Sequence, residues 1–337
     1  MTMDRRSFLG ASALAALAAP PAARAQPMTA PEPALPFDAI ESIPMWPGEP
    51  PGNTGTALTL HVWDDTPPTS SYHNRFADGI ARPALFVFRA PGPDGSAVLI
   101  FPGGGYRDLQ VDNEGIDVAK RFNAAGVTAF VLLYRLPDEG WINAADVPLQ
   151  DAQRALRLIR FNAAHFGIDE QRLGVIGFSA GGHLAASLAT RYDAKVYSAG
   201  DAADMLSARP QFMALLYPVI TMLPPYAHEA SREMLLGEHP TTAERAAYSC
   251  EKHVTADAPP AFLCAAGDDP DVPIENTLEM FAALRAKHVP VEMHLFERGG
   301  HGFGVHGQPE LPVADWPQLF LNWGQSRGYF KGAPIKS

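Results

Sequence analysis

From residue 84 onward, short unbroken apolar runs alternate with longer stretches in which apolar positions recur every three or four residues. The runs at 97–101 (AVLIF), 127–133 (VTAFVLL), 172–176 (RLGVI), 212–217 (FMALLY) and 261–266 (AFLCAA) have the length and continuity of strands buried on both faces. The run at 291–296 (VEMHLF) alternates instead, and 57–62 and 84–89 read as two entry strands separated by a polar loop rich in Pro, Ser and Asn. Helical spacing predicts helices over 115–125, 149–165 and 183–190. Regular alternation of this kind implies an α/β domain: a mainly parallel sheet, helices on both faces and right-handed crossovers. The stretch 219–255 is longer than a simple crossover and reads as a cap. It combines Pro224-Pro225-Tyr226, a helical piece at 229–236 and charged residues, which argues against a greasy lid for a long acyl chain.

The N-terminus departs from that pattern. Asp4-Arg5-Arg6-Ser7-Phe8-Leu9, an alanine-rich apolar stretch and Ala23-Arg24-Ala25 together resemble a twin-arginine leader over 1–25. The apolar stretch falls short of the roughly 20 residues of a spanning helix. The expectation is export of a folded protein to the periplasm or medium, a mature start near Gln26, and no membrane insertion after cleavage. Residues 26–36 are proline-rich and read as an extended tether, leaving 37–337 as one catalytic domain. The 337 residues carry a formal charge of −11, which becomes −13 on loss of a leader holding three Arg and one Asp. An acidic chain of this kind is not expected to bind nucleic acid.

Candidate chemistry sits at the ends of the apolar runs. Gly177-Phe178-Ser179-Ala180-Gly181 joins a strand to a helix of small residues, the setting of a nucleophile elbow, and makes Ser179 the candidate nucleophile. Gly299-Gly300-His301-Gly302 follows the run 291–296 and offers His301 as general base on a loop whose glycines permit close approach. Asp268, Asp269 and Asp271 follow the run 261–266. Asp269 is chosen as the acid because Pro270 biases it toward extended backbone, Asp271 is held in reserve, and the others are expected to be solvated turn residues. The order serine, acid, histidine is that of α/β-hydrolases. Pro102-Gly103-Gly104-Gly105-Tyr106 follows the run 97–101, so the amides of Gly104, Gly105 and Ala180 are the candidate oxyanion donors.

In this order, Pro102-Gly103-Gly104-Gly105-Tyr106, Glu114-Gly115, Tyr134-Arg135-Leu136, Asp151-Ala152-Gln153-Arg154-Ala155 and 177–183 resemble bacterial carbohydrate esterases of the α/β-hydrolase superfamily, the acetyl xylan esterase-like and feruloyl esterase-like enzymes. The resemblance runs from Met45-Trp46-Pro47-Gly48 to His301-Gly302-Phe303-Gly304. It implies an acid at Asp269, a base at His301, no metal or organic cofactor, and an acylated carbohydrate or other small ester as substrate. Acetyl removal from xylan is the leading expectation. A broad carboxylesterase or feruloyl esterase, a serine peptidase, and a non-catalytic binding protein on the same fold are the alternatives.

Tyr106 and Trp141 are the candidate aromatic platforms for a sugar ring. Glu114 and Arg135 are open between substrate binding and salt-bridge or capping roles. His183 is expected to pack on the elbow helix, and pairing of Cys250 with Cys264 is left open.

Overall fold

The computed structural model describes residues 37 and 41–331; the leader and tether expected over 1–25 and 26–36 lie outside the described residues. Among the described residues, eleven strands form two sheets: β1 (Glu41–Pro44), β2 (His61–Asp64), β3 (Arg75–Asp78), β4 (Ala84–Phe88), β5 (Ala97–Phe101), β6 (Leu109–Gln110), β7 (Thr128–Leu133), β8 (Leu173–Phe178), β9 (Met213–Leu216), β10 (Ala261–Ala266) and β11 (Val291–Phe296). The main sheet has the order β1-β4-β7-β5-β8-β9-β10-β11. β4 runs antiparallel to both neighbours, and every pairing from β7 to β11 is parallel. β5, β7, β8 and β10 are buried along their whole length, which accounts for their unbroken apolar runs. β11 is an edge strand, only partly covered, and its sequence is accordingly not an unbroken apolar run.

Eight α-helices among the described residues accompany the strands: α1 (Asp117–Asn123), α2 (Val147–Phe161), α3 (Ala163–Phe166), α4 (Ser179–Thr190), α5 (Glu229–Leu236), α6 (Thr242–Ala247), α7 (Glu275–Ala286) and α8 (Trp316–Ser326). α2 starts with Pro148 in its first turn and buries Leu149, Ala152, Ala155, Leu156 and Ile159. The single helix expected over 149–165 is two: Asn162 takes the Leu158 carbonyl with its side chain, and Gly167 at φ +66° closes the second piece. The helix expected at 183–190 begins earlier, at Ser179 itself. The helix expected over 115–125 is a π-helical turn, Asp112–Ile116, followed by α1.

Sequence patterning gave no sign of β3 and β6, which with β2 make a small antiparallel sheet in the order β2-β3-β6, and placed the entry strand at 57–62 rather than at His61–Asp64. The fork of Arg75 on β3 clamps Asp112 of the π-turn, with Nε–Oδ2 at 2.9 Å and Nη2–Oδ1 at 2.8 Å. That clamp ties the small sheet to the main domain. No helix among the described residues is long and apolar enough to cross a membrane.

Candidate active site

The C-terminal ends of β5, β8, β10 and β11 converge on one edge of the main sheet, where open α/β sheets carry their functional groups. At the end of β8, Ser179 adopts φ +51°, a conformation costly for a side chain bearing a Cβ and characteristic of strained functional turns. Its glycine neighbours are sterically required. A Cβ on Gly177 would lie 2.2 Å from the Gly181 carbonyl oxygen, and one on Gly181 would lie 2.2 Å from that of Phe101.

Ser179 Oγ lies 2.9 Å from His301 Nε2, and His301 Nδ1 lies 2.7 Å from Asp269 Oδ2. The other Asp269 oxygen accepts the amides of Asp271 and Val272, each at 2.9 Å, so this carboxylate is fixed from both sides. Burial opposes protonation of His301, but the hydrogen bond and charge of Asp269, assisted by Glu114 and Asp271, outweigh it and raise its pKa above the ordinary value. Asp271 stays exposed on the cavity wall and makes no hydrogen bond to the imidazole. Asp268 is exposed in its turn, as expected, but its Oδ1 also accepts the amides of Gly299 and Gly300, each at 2.8 Å, and so braces the histidine loop. Asp269, Asp271 and His301 bring metal-ligand-type atoms within 4.8 Å of one another, but the facing atoms of Asp269 and His301 are engaged with each other.

Gly104 at φ +127° and Gly105 at φ +66° carry the turn after β5 past the serine. Among the described residues no acceptor takes either of their amides. The Ala180 amide stands in the first turn of α4, where backbone N–H groups have no intrahelical partner. The preceding Gly103 amide is occupied, donating to Glu114 Oε2 at 2.7 Å.

Glu114 belongs to a hub that sequence reasoning only touched. Its Oε1 accepts the Tyr217 hydroxyl at 2.8 Å, and that hydroxyl in turn accepts the Gly304 amide at 3.0 Å. Burial pushes the Glu114 carboxyl up, with the Tyr217 hydrogen bond acting against it. One residue earlier, Asn113 donates to the Gly302 carbonyl and accepts the amides of Val305 and His306, each of the three at 3.1 Å. The π-turn thus holds the small sheet through Asp112, the histidine loop through Asn113 and the glycine loop through Glu114. Such turns recur at functional sites.

These groups open into a cavity of about 510 Å³. Beside Ser179, Gly104, Gly105 and His301, its wall includes Phe76 and Gln110 from the small sheet and His228, Glu233 and Met234 from and beside α5. His228, which sequence reasoning missed, is oriented by a 2.8 Å contact from Nδ1 to Ser231 Oγ, and burial followed by the charge of His301 lowers its pKa.

The two sugar platforms expected from sequence are elsewhere. Tyr106 is 1% exposed, and its hydroxyl donates to His183 Nδ1 at 2.7 Å while His183 Nε2 donates to the Tyr248 carbonyl at 2.7 Å. Burial drives His183 down to about 4, so the ring is neutral and the chain of donors is consistent. Trp141 is buried over the Arg135 guanidinium at 4.8 Å and forms no part of the cavity wall. Arg135 itself is fully buried against Asp151, with Nη2–Oδ1 at 2.8 Å, and does not reach substrate space. Cys250 and Cys264 are both free buried thiols whose pKa values burial raises, Cys250 to about 12, so neither is a ready nucleophile.

Comparison with known proteins agrees with this architecture. The BD-FAE family model matches residues 92–284. The chain is 39% identical over 208 residues to endo-1,4-beta-xylanase B of Butyrivibrio fibrisolvens, covering 62% of this chain and 32% of that protein. It is 31% identical over 249 residues to acetylxylan esterase of Xylanibacter ruminicola, covering 71% and 48%. It therefore spans from a third to about half the length of these relatives. Among solved structures, an acetyl ester-xyloside bifunctional hydrolase from Caldicellulosiruptor lactoaceticus superposes with a TM-score of 0.70 at 34% identity, over 86% of this chain and 97% of that one. A carboxylesterase from Lactobacillus plantarum does so at 0.59 and 26%, over 81% and 100%. The strand order, the site at the sheet edge and the family match place this chain in the BD-FAE family of α/β-hydrolases.

Proposed function

We propose that this protein is an exported serine esterase that removes acyl groups, foremost acetyl, from plant cell-wall carbohydrate such as xylan. The observation that carries the reading is the unbroken chain from Ser179 Oγ through His301 to Asp269, 2.9 and 2.7 Å long, beside two unengaged glycine amides. His301 Nε2 takes the serine proton as Oγ attacks the ester carbonyl, and Asp269 holds the Nδ1–H tautomer. The amides of Ala180 and of Gly104 or Gly105 receive the developing oxyanion. Collapse of the tetrahedral species passes the proton from His301 to the leaving sugar oxygen; water then repeats the sequence on the acyl-serine and returns free Ser179 and the acid. The wall suits a small acyl group on a hydroxyl-rich alcohol: glycine backbone lies beside the serine, and Gln110, His228 and Glu233 supply hydrogen-bonding groups. The names of the xylan-related relatives support the same substrate class, and the twin-arginine pattern supports export.

The test is acid release from acetylated xylan and feruloylated arabinoxylan in parallel, by the protein and by Ser179→Ala. Acetate that disappears in the variant, with no ferulate, is the expected result. Substantial acetate release by pure Ser179→Ala removes the serine mechanism. Serine-dependent turnover of small aryl acetates alone favours the second reading, a broad carboxylesterase, for which the Lactobacillus plantarum neighbour speaks.

A further inference from the structure

Two aromatic side chains on the small sheet belong neither to the hydrophobic core nor to the catalytic chain. Trp63 on β2 and Phe76 on β3 are half-buried and stand outside the core cluster. They are directly opposed in register, their ring centroids 5.6 Å apart and their planes 14° from parallel. His61, two residues before Trp63 and so on the same face, adds a third ring at 5.1 Å and 22°, with its side chain 65% exposed. On the other side of Phe76, its register partner is Gln110 of β6. Directly opposed residues share a face of a sheet, so Gln110, Phe76 and Trp63 form one row across three strands.

Phe76 and Gln110 are also part of the wall of the cavity that holds Ser179. The row therefore leads out of the cavity and onto the surface. At the usual spacing of about 4.8 Å between strands it extends the site by roughly 10 Å. The centroid separations exceed the ~3.5–4.0 Å of face-on contact, so in a close-packed arrangement the rings are slipped past one another and each keeps part of a face uncovered. Polar groups flank the row: Asp78 lies 3.4 Å from His61, and Gln110 Nε2 donates to Asn74 at 3.1 Å. The Arg75–Asp112 fork fixes the strand that carries Phe76. Apolar ring surface with a hydrogen-bonding border, held rigidly and continuous with a cavity, is the chemistry that binds pyranose rings, whose C–H faces are apolar and whose rims are hydroxylated.

We propose that the Gln110–Phe76–Trp63–His61 row is a binding subsite for the sugar chain flanking the acylated residue, which makes an acylated oligo- or polysaccharide, rather than a monosaccharide ester, the preferred substrate. This rests on the serine esterase reading above, and the experiment separates the two. Full-length wild type, Trp63→Ala and Trp63→Phe are compared for kcat/KM on acetylated xylan and on an aryl acetate. Binding of deacetylated xylo-oligosaccharide to Ser179→Ala and to Ser179→Ala/Trp63→Ala is followed by calorimetry. The expected result is a roughly tenfold fall in the ratio of polymer to aryl acetate kcat/KM for Trp63→Ala, carried by KM, with most of it restored in Trp63→Phe, and a matching loss of oligosaccharide affinity. An unmoved ratio with serine-dependent aryl acetate turnover intact overturns the subsite and leaves the esterase standing. Absence of serine-dependent turnover in wild type overturns the esterase; oligosaccharide binding that depends on Trp63 would still uphold the row, and binding indifferent to Trp63 would end it.

Discussion

Asp269→Asn isolates the part of the proposed catalytic chain that the geometry makes most specific. In the proposed mechanism the base must be neutral to accept the serine proton, so the acid limb of the rate profile is expected to follow the His301 pKa, which lies above the ordinary imidazole value because Asp269 outweighs burial. Removing that negative charge leaves burial dominant and moves the limb to lower pH; a limb that stays in place would show that Asp269 does not set it. The same variant presents the wrong tautomer to the serine, and kcat measured on the pH plateau is expected to fall on the order of 10⁴-fold. That Ser179, His301 and Asp269 come together was legible in the sequence, because glycine or proline beside a strand end leaves few other readings. Asp268, Asn113 and His228 were not, because a polar side chain that braces a distant loop, or faces a cavity assembled from several elements, has no local signature. Tyr106 and Trp141 were misread for a related reason: an aromatic residue beside a loop looks the same whether its partner is a sugar or, as here, His183 and Arg135.

At the scale of elements, the π-turn Asp112–Ile116 does more than its five residues suggest. Three consecutive side chains leave it in three directions, to the small sheet, the histidine loop and the glycine loop. Asn113→Ala removes all three hydrogen bonds to the segment after His301 and leaves the freed backbone groups to find water or go unpaired, at about 1–3 kcal/mol for each that stays buried. Loop displacement of even an ångström can cost about 10²-fold in turnover, so kcat is expected to drop by that order with a smaller change in KM. A variant that loses stability in a urea titration yet keeps kcat would show that Asn113 holds the fold and not the base. Long buried strands declared themselves through uninterrupted apolar runs. β1, β3 and β6 did not, since strands of two to four residues are too short to display any period.

For the molecule as a whole, the Arg135–Asp151 pair is the most exacting contact. Both side chains are fully buried, the Trp46 indole donates to Asp151 at 2.9 Å, and the Pro51 carbonyl accepts from Arg135 at 2.6 Å. Asp151→Ala strands a guanidinium out of water and is expected to cost about 3–5 kcal/mol in equilibrium unfolding, whereas the apolar double variant Arg135→Met/Asp151→Leu should lose much less. Equal losses would mean that packing and the neutral hydrogen bonds to Trp46 and Pro51, not the buried charge, matter there. Overall architecture was readable from alternation alone, but this contact was not, because its four participants come from two distant stretches of chain, one holding Trp46 and Pro51 and the other Arg135 and Asp151. The segment around Met45–Pro51 also receives Arg154, whose Nε donates to the Met45 carbonyl at 2.8 Å. A segment cut along the borders of the family match, residues 92–284, would discard Met45–Pro51 together with His301. Arg135 and Asp151 would lose the cover of Trp46 and Pro51, and Ser179 would lose its imidazole neighbour, so a shortened chain has to be cut well outside the borders of that match.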